Sequence, residues 1–286
     1  MSERSPTPSV PVGMPVHNGE ASSNQDEQQN PNSCRVCNRV AKEIFAGLLL
    51  NNRVAYYECQ HCGYVQTETP HWLDCAYAEV MNDSDTGIMI RNQANVGIVL
   101  ATLLLLGKLD GTLVDCAGGY GILVRLLRDF GVNALWADRF CKNLVARGFE
   151  HTNESADLVT AFEAFEHFVH PAEELDRLFA IAPNVLFSTD IIADPAPKQD
   201  DWWYYGKEHG QHIGFFRIRT LAKLAKDRGK HLLSNGTSYH LITDKPINEA
   251  LWKIAIRASN LMPMLLRRRL VSKVWSDHTL MAGLKK

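Results

Sequence analysis

The sequence predicts an α/β protein: a Rossmann-like, mainly parallel sheet with an antiparallel last strand, preceded by a small cysteine-bearing ribbon. Three observations carry that expectation. Between residues 111 and 243, short apolar runs alternate with helical segments, the pattern of successive βαβ units. Two Cys-x-x-Cys pairs, Cys34/Cys37 and Cys59/Cys62, lie ahead of that region. Asn235-Gly236 separates the last two apolar runs, and such a dipeptide favours a tight hairpin turn, which makes the final strand antiparallel to its neighbour. A chain of 286 residues suits one full domain of about 150 residues with a smaller appendage.

The elements follow in order. Residues 1–30 are crowded with Ser, Pro, Asn, Gln and Glu and cannot bury enough apolar surface to offset ordering entropy, so they are expected to be a disordered tail. Residues 31–68 hold both cysteine pairs, separated by alternating β-prone sequence around Arg53-Val-Ala-Tyr-Tyr-Glu58, which predicts short strands between two turns. Residues 69–110 turn to helical spacing and end at Gly107, a natural C-cap. Within 111–245 the expected strands are 112–115, 134–138, 157–161, 185–190, 231–234 and 238–243. Residues 246–286 form a basic helical segment: from Lys245 onward nine Lys/Arg stand against two acids. There Pro263 is placed to open a helix containing Arg267-Arg268-Arg269. Packing against the sheet with a solvated charged face is the first expectation, and contact with a membrane surface the second.

Composition narrows the function classes. A net charge of −2 gives no chain-wide field toward nucleic acid or anionic lipid. The longest apolar stretch, 98–106, is well short of the roughly 20 residues a membrane helix needs. The opening MSERSPTPSV lacks an apolar run behind a basic one, so a cytoplasmic protein with reduced thiols is expected. The Cys34, Cys37, Cys59 and Cys62 spacing, two knuckles separated by 21 residues, lets four thiolates meet one tetrahedral ion. Zinc is the expected metal, and four protein ligands leave it no open position, so its role is structural. Cys75, Cys116 and Cys141 have no comparable spacing and read as small core residues.

A second constellation begins at Leu113-Val-Asp115-Cys-Ala117-Gly118-Gly119-Tyr-Gly121: an acid at a strand end, a turn of small residues, then a helix. Such a turn lets a ligand approach the backbone, and the acid can accept hydrogen bonds from a cationic amine. Asp138 ends the next strand, where a carboxylate accepts ribose hydroxyls.

These residues resemble the class I S-adenosylmethionine-dependent methyltransferases, and the resemblance continues past the turn. Asp157-Leu-Val-Thr-Ala-Phe-Glu163-Ala-Phe-Glu166-His167-Phe-Val-His170-Pro171 is similar to the family's fourth-strand motif, and Gly210-Gln-His212-Ile-Gly-Phe-Phe216 to the loop after its fifth strand. The resemblance spans about 72–245. It implies that Asp115, Gly119 and Gly121 surround the methionine portion of the cofactor, with Ala117 and Gly118 in the same turn. It places Asp138 on the ribose and Phe162 and Glu163 beside the cofactor. Ala117 stands where the family usually has Gly. The segment 148–156 is short for a third strand, so the sheet is expected to lack an edge element.

A four-cysteine ribbon ahead of this fold resembles sugar and glycan methyltransferases. Their carbon-methylating members carry a Tyr-x-Glu-His cluster; here the nearest stretch is Tyr205-Gly206-Lys207-Glu208-His209, with Tyr displaced by one, so transfer to carbon and to oxygen both stay open. His167, His209 and His212 are the general-base candidates, because imidazole titrates near neutrality and all three follow strand ends. In Trp202-Trp203-Tyr204-Tyr205 the aromatics form either a platform for a sugar ring or a packed lid, with Tyr204, Tyr205 and Glu208 as substrate-binding candidates. Arg91 could reach a carboxylate or phosphate. The expected activity is methyl transfer from S-adenosylmethionine to a nucleotide-linked or lipid-linked sugar. Its rivals are RNA methylation guided by the ribbon, whose bases are only Arg35, Arg39, Lys42 and Arg53, and a non-catalytic zinc-ribbon interaction protein.

Overall fold

The computed structural model describes residues 32–77 and 85–284. The expected N-terminal tail lies outside the described residues. The ribbon comprises β1 (Lys42–Leu49), β2 (Asn52–Glu58) and β3 (Val65–Thr67). Leu50 and Asn51 close the first hairpin with φ of 47° and 34°, the positive values a two-residue turn needs to match strand twist. Helices α1 (Leu73–Ala76) and α2 (Ile88–Leu106) follow, and Gly107 caps α2 at φ 68°, as its position predicts. α2 is 19 residues long, polar at Arg91, Asn92 and Gln93 in its first half, and most of its apolar second half is buried in the same core as Leu127 and Trp252, where a domain's central helix belongs.

The main domain continues as β4 (Thr112–Asp115), α3 (Ile122–Phe130), β5 (Asn133–Trp136), β6 (Leu158–Ala161), α4 (Pro171–Ile181), β7 (Val185–Ser188), β8 (Gly214–Phe215), α5 (Ile218–Lys226), β9 (His231–Ser234) and β10 (Tyr239–Thr243). Six strands form one sheet in the order β5-β4-β6-β7-β10-β9. β4 pairs in parallel with β5 and β6, and β6 with β7, whereas β10 is antiparallel to both β7 and β9. Each short run became a strand because it is apolar on both faces: every residue of β6 and β7 is buried, as parallel strands covered by helices require. Between β5 and β6 the chain makes only a bridge from Trp136 to Glu150, so the expected missing edge strand is missing.

Three expectations need correction. Asn235-Gly236 does not make a two-residue hairpin: four residues separate β9 from β10, and the Asn235 side-chain oxygen accepts the N–H groups of Thr237, Ser238 and Tyr239, an Asx-type closure. Cys75 is exposed, not a core residue. The helix at Pro263, α7 (Met262–Leu266), lies between α6 (Glu249–Arg257) and α8 (Val274–Met281) and stops before Arg267-Arg268-Arg269, which sit exposed in the following turn.

The ribbon is not a separate appendage. β8, from the main domain's long loop after β7, adds to β3 and completes a second sheet ordered β1-β2-β3-β8. Tyr56, Val65, Tyr204, Tyr205 and Phe215 share one buried cluster across that seam. Arg217, buried, donates to Glu58 on β2 and to the Ala193 carbonyl. The Thr220 hydroxyl donates to the Cys62 carbonyl. Ribbon and loop are therefore one packed unit standing over the C-terminal ends of the parallel strands.

Candidate active site

The four ribbon cysteines converge. The sulfurs of Cys34 and Cys62, and of Cys37 and Cys59, are each 3.5 Å apart, and all four lie within 4.8 Å of one another. Tetrahedral zinc with bonds of about 2.3 Å sets sulfurs about 3.8 Å apart, so the donor set fits that ion. Hydrogen bonding from Cys62 pulls the Cys34 thiol down to about 5, and the same contact, with burial, pushes Cys62 up. A bound cation is what would let all four ionise together.

β4 delivers Asp115 into a cleft. Asp115 is buried, accepts a 2.8 Å hydrogen bond from the Thr160 hydroxyl, and burial pushes its pKa up to about 7. The turn beyond it has a specific cause for its glycines. A Cβ at Gly118 would sit 2.5 Å from Trp136 Cδ1, whereas Gly119, at φ 51°, faces open space. Ala117 needs neither concession, which explains its side chain. Asp138 Oδ2 accepts the Gly119 N–H at 2.9 Å, while Oδ1 accepts those of Phe140 and Cys141 at 2.8 Å each. Three of its four lone-pair sites are thus taken by backbone, leaving room for one ligand hydroxyl, not two. Asp115, Ala117, Gly118, Gly119, Asp138, Phe162 and Glu163 all line this cleft. Gly121 starts α3 beside it. Open backbone at Gly119, a free acceptor site at Asp138 and a buried acid at Asp115 fit a nucleoside carrying a cationic amine.

Past β6 the chain holds Glu163 at φ 50°. Its N–H donates to the Ser188 hydroxyl, which donates at 2.6 Å to its own carboxylate. Backbone strain maintained by surrounding bonds is a mark of functional positions. One turn on, His167 meets His212 and His209, with ring centroids 4.9 Å apart for His167–His212 and 4.8 Å for His209–His212. The structure brings all three histidines together and then separates their roles. His167 Nδ1 lies 3.1 Å from the Gln211 carbonyl and 2.9 Å from the Tyr77 hydroxyl, and His212 Nδ1 lies 2.6 Å from the Tyr204 carbonyl. Carbonyls only accept, so both Nδ1 atoms carry hydrogen and both Nε2 atoms hold lone pairs. His209 Nδ1 instead accepts the Gln211 N–H, so its neutral ring presents an N–H at Nε2. Burial pulls His167 down to about 3 and His212 well below its ordinary value, so neither is matched to direct proton abstraction near neutral pH.

These histidines line a second cleft of about 700 Å³ with Trp202, Trp203, Tyr205 and Glu208. The aromatic run divides. Trp203 is 77% exposed, while Tyr204 is 2% exposed and turned into the ribbon seam, so Tyr204 does not offer a face to substrate. Tyr205 is also buried, its hydroxyl donating to the Pro197 carbonyl. Arg91 reaches the carboxylate of Asp85, at 2.6 Å. Glu163, His167, Gln211, Asp85 and Arg91 line both clefts, forming the wall between them. Tyr77, which stacks on Phe140, and Glu166, which is wholly buried, were not singled out from the sequence. The one local signal was the repeat of Glu after three residues with His beside it.

The geometry agrees with what the chain is similar to. A family described as "Methyltransferase domain" matches residues 91–235, half of the sequence. The chain belongs to this methyltransferase family. Its members use S-adenosylmethionine, and the cleft at Asp115 and Asp138 fits that molecule. Among solved structures it is similar to TnmH, at 17% identity over 62% of each chain with a TM-score of 0.42. It is also similar to an O-methyltransferase family protein from Burkholderia thailandensis, at 15% identity over 60% of this chain and 62% of that one, TM-score 0.42. A complex of the Haloferax volcanii Trm112 activator with a putative methyltransferase matches at 14% identity over 58% of this chain and 98% of that one, TM-score 0.39. The chain thus spans about 62% of the length of the first two. No curated protein matches.

Proposed function

We propose that this methyltransferase transfers the methyl group of S-adenosylmethionine to a hydroxyl oxygen of a sugar or similar polyhydroxylated small molecule. The shared wall between the two clefts carries this reading, because in-line transfer needs the acceptor and the sulfonium to meet across one boundary. Asp115 would take the amino group of the methionine portion, Gly118 and Gly119 its backbone approach, and Asp138 one ribose hydroxyl. Trp203 and Trp202 supply the apolar face a sugar ring stacks on, and Glu208 hydrogen-bonds its hydroxyls. His167 and His212 line the acceptor cleft, where they position the acceptor hydroxyl.

A nucleotide-linked or lipid-linked precursor is favoured over RNA. Of the four ribbon bases Arg35 is spent internally on the carbonyls of Thr67 and Ile213, which leaves too few cations to track a phosphate chain. A lipid-linked form is supported by residues 250–276, which hold six Lys/Arg and no acid while Leu251, Ile254, Leu265 and Trp275 are exposed.

The test is to incubate the zinc-loaded protein with S-adenosylmethionine and panels of nucleotide sugars and lipid-linked sugars, measuring S-adenosylhomocysteine. Turnover with a sugar acceptor, lost in His212→Ala while calorimetry shows the cofactor still bound, is the expected result. A folded protein that binds no S-adenosylmethionine would return the chain to the non-catalytic reading.

A further inference from the structure

Among the described residues, one other group of metal-ligating side chains converges besides the four cysteines: Glu166, His167 and His212, all buried, with ligand atoms within 4.8 Å of one another. Glu166 is 0% exposed, and neither carboxylate oxygen makes a hydrogen bond of ordinary geometry, although the Tyr204 and Thr189 hydroxyls approach it. His167 Nε2 lies 3.8 Å from its Oε1. Among the described residues no Lys or Arg is paired with it. A carboxylate this deep with no cation beside it is either protonated or held by a bound cation.

The two imidazoles are oriented as ligands. Each spends its Nδ1–H on a backbone carbonyl, Gln211 for His167 and Tyr204 for His212, the outer contact that typically fixes the tautomer and ring plane of a metal-bound histidine. What they turn toward Glu166 and the acceptor cleft is then two lone pairs. Strained Glu163 lines that cleft beside them.

We propose that Glu166, His167 and His212 bind a transition-metal dication such as Mn²⁺ or Zn²⁺ at the floor of the acceptor cleft, beside the acceptor oxygen. Two imidazoles and one carboxylate favour such ions over Mg²⁺ or Ca²⁺, which prefer all-oxygen sets, and three ligands from one side leave positions for a substrate oxygen. This inference rests on the methyl-transfer reading and deepens it. The acceptor O–H bond breaks and its proton leaves to water in the open cleft. The O–CH₃ bond forms as the CH₃–S bond breaks, with the electron pair staying on sulfur, so the sulfonium becomes a neutral thioether. The dication keeps its oxidation state and lowers the energy of the oxyanion.

The test uses the full chain with its cysteine site loaded with zinc, titrated with Mn²⁺ and followed by the electron-paramagnetic-resonance signal of the free ion. One saturable Mn²⁺ site per chain is expected, weakened at least tenfold in Glu166→Gln and in His212→Ala, while the single cysteine-bound zinc and calorimetric S-adenosylmethionine binding match the parent. No Mn²⁺ or second Zn²⁺ beyond the cysteine-bound ion would overturn the site and leave Glu166 as a protonated acid among the Tyr204 and Thr189 hydroxyls. Mn²⁺ bound equally by both variants, or a site that takes Mg²⁺ in preference, would overturn it too. Loss of cofactor binding in the parent would instead bring down the methyl-transfer reading.

Discussion

Asp115 and Asp138 act on the cofactor through different physics. Burial holds Asp115 near 7 against an ordinary value of 3.8, so between about pH 4 and pH 7 the folded state binds a proton that the unfolded state has lost. Its contribution to stability falls as pH rises through that window and is flat above it. Asp115→Asn is expected to remove this component, so that the variant's melting temperature, relative to the parent without cofactor, climbs from pH 5 to pH 7.5. A cationic amine beside Asp115 favours the ionised acid, so S-adenosylmethionine should bind more tightly at pH 8 than at pH 6. Calorimetry in buffers of different ionisation enthalpy should show a proton released below pH 7. Asp138→Ala removes the acceptor of three backbone N–H groups as well as the ribose contact. Hydrogen bonds to a charged group are worth about 1.5–3 kcal/mol each, and an affinity loss of tenfold or more is expected; unchanged affinity would sink the ribose assignment. Both acids were legible in the sequence because strand ends and the intervening turn are local features. Glu166 was not, since one Glu within Ala-Phe-Glu-His-Phe says nothing about burial until the chain from Tyr204 to Gln211 closes over it.

Among the elements, the seam between β3 and β8 decides how the ribbon serves the site. Since β8 and the Trp203-bearing loop are held by the ribbon while Asp115, Gly119 and Asp138 lie on the other side of the shared wall, removing the metal should strike the acceptor side first. Stripping zinc with a strong chelator is expected to abolish methyl transfer while leaving S-adenosylmethionine affinity within a few fold, with one chelated Zn²⁺ per chain counted from the cysteine site. Arg217→Ala tests the same seam without touching a cysteine. It leaves Glu58 without its buried partner, a loss on the order of 3–5 kcal/mol, and should lower the melting temperature measurably. The cysteine spacing announced the ribbon from sequence alone. Its union with β8 could not be read there, because two-residue pairing between Val65-Gln66 and Gly214-Phe215 leaves no periodic trace.

Across the whole molecule, the C-terminal segment returns to the cofactor domain rather than trailing from it. Asp277 of α8 receives Arg128 through both carboxylate oxygens, at 2.8 Å each, and Arg125 at 2.9 Å, and the Arg128 guanidinium sits 3.6 Å over the Phe149 ring. The packing comes from α8 and not from the helix expected to open at Pro263, and Arg267-Arg268-Arg269 form an exposed turn between the two. If the acceptor is lipid-linked, that face should sediment with vesicles containing anionic lipid and not with neutral ones. Reversing all three arginines to glutamate should abolish sedimentation and leave the melting temperature unchanged, since none of the three is buried.

The alternation of strands and helices, the four-cysteine ribbon, the glycine turn with its two acids and the missing edge strand could be read from the amino-acid order, because each depends on residues close together in the chain. That ribbon and loop form one sheet, that Tyr204 faces inward and Trp203 outward, and which histidines offer a lone pair emerge only in the folded chain. Those properties depend on backbone carbonyls and buried neighbours contributed by distant segments, and a hydrogen bond's direction exists only once both partners are in place.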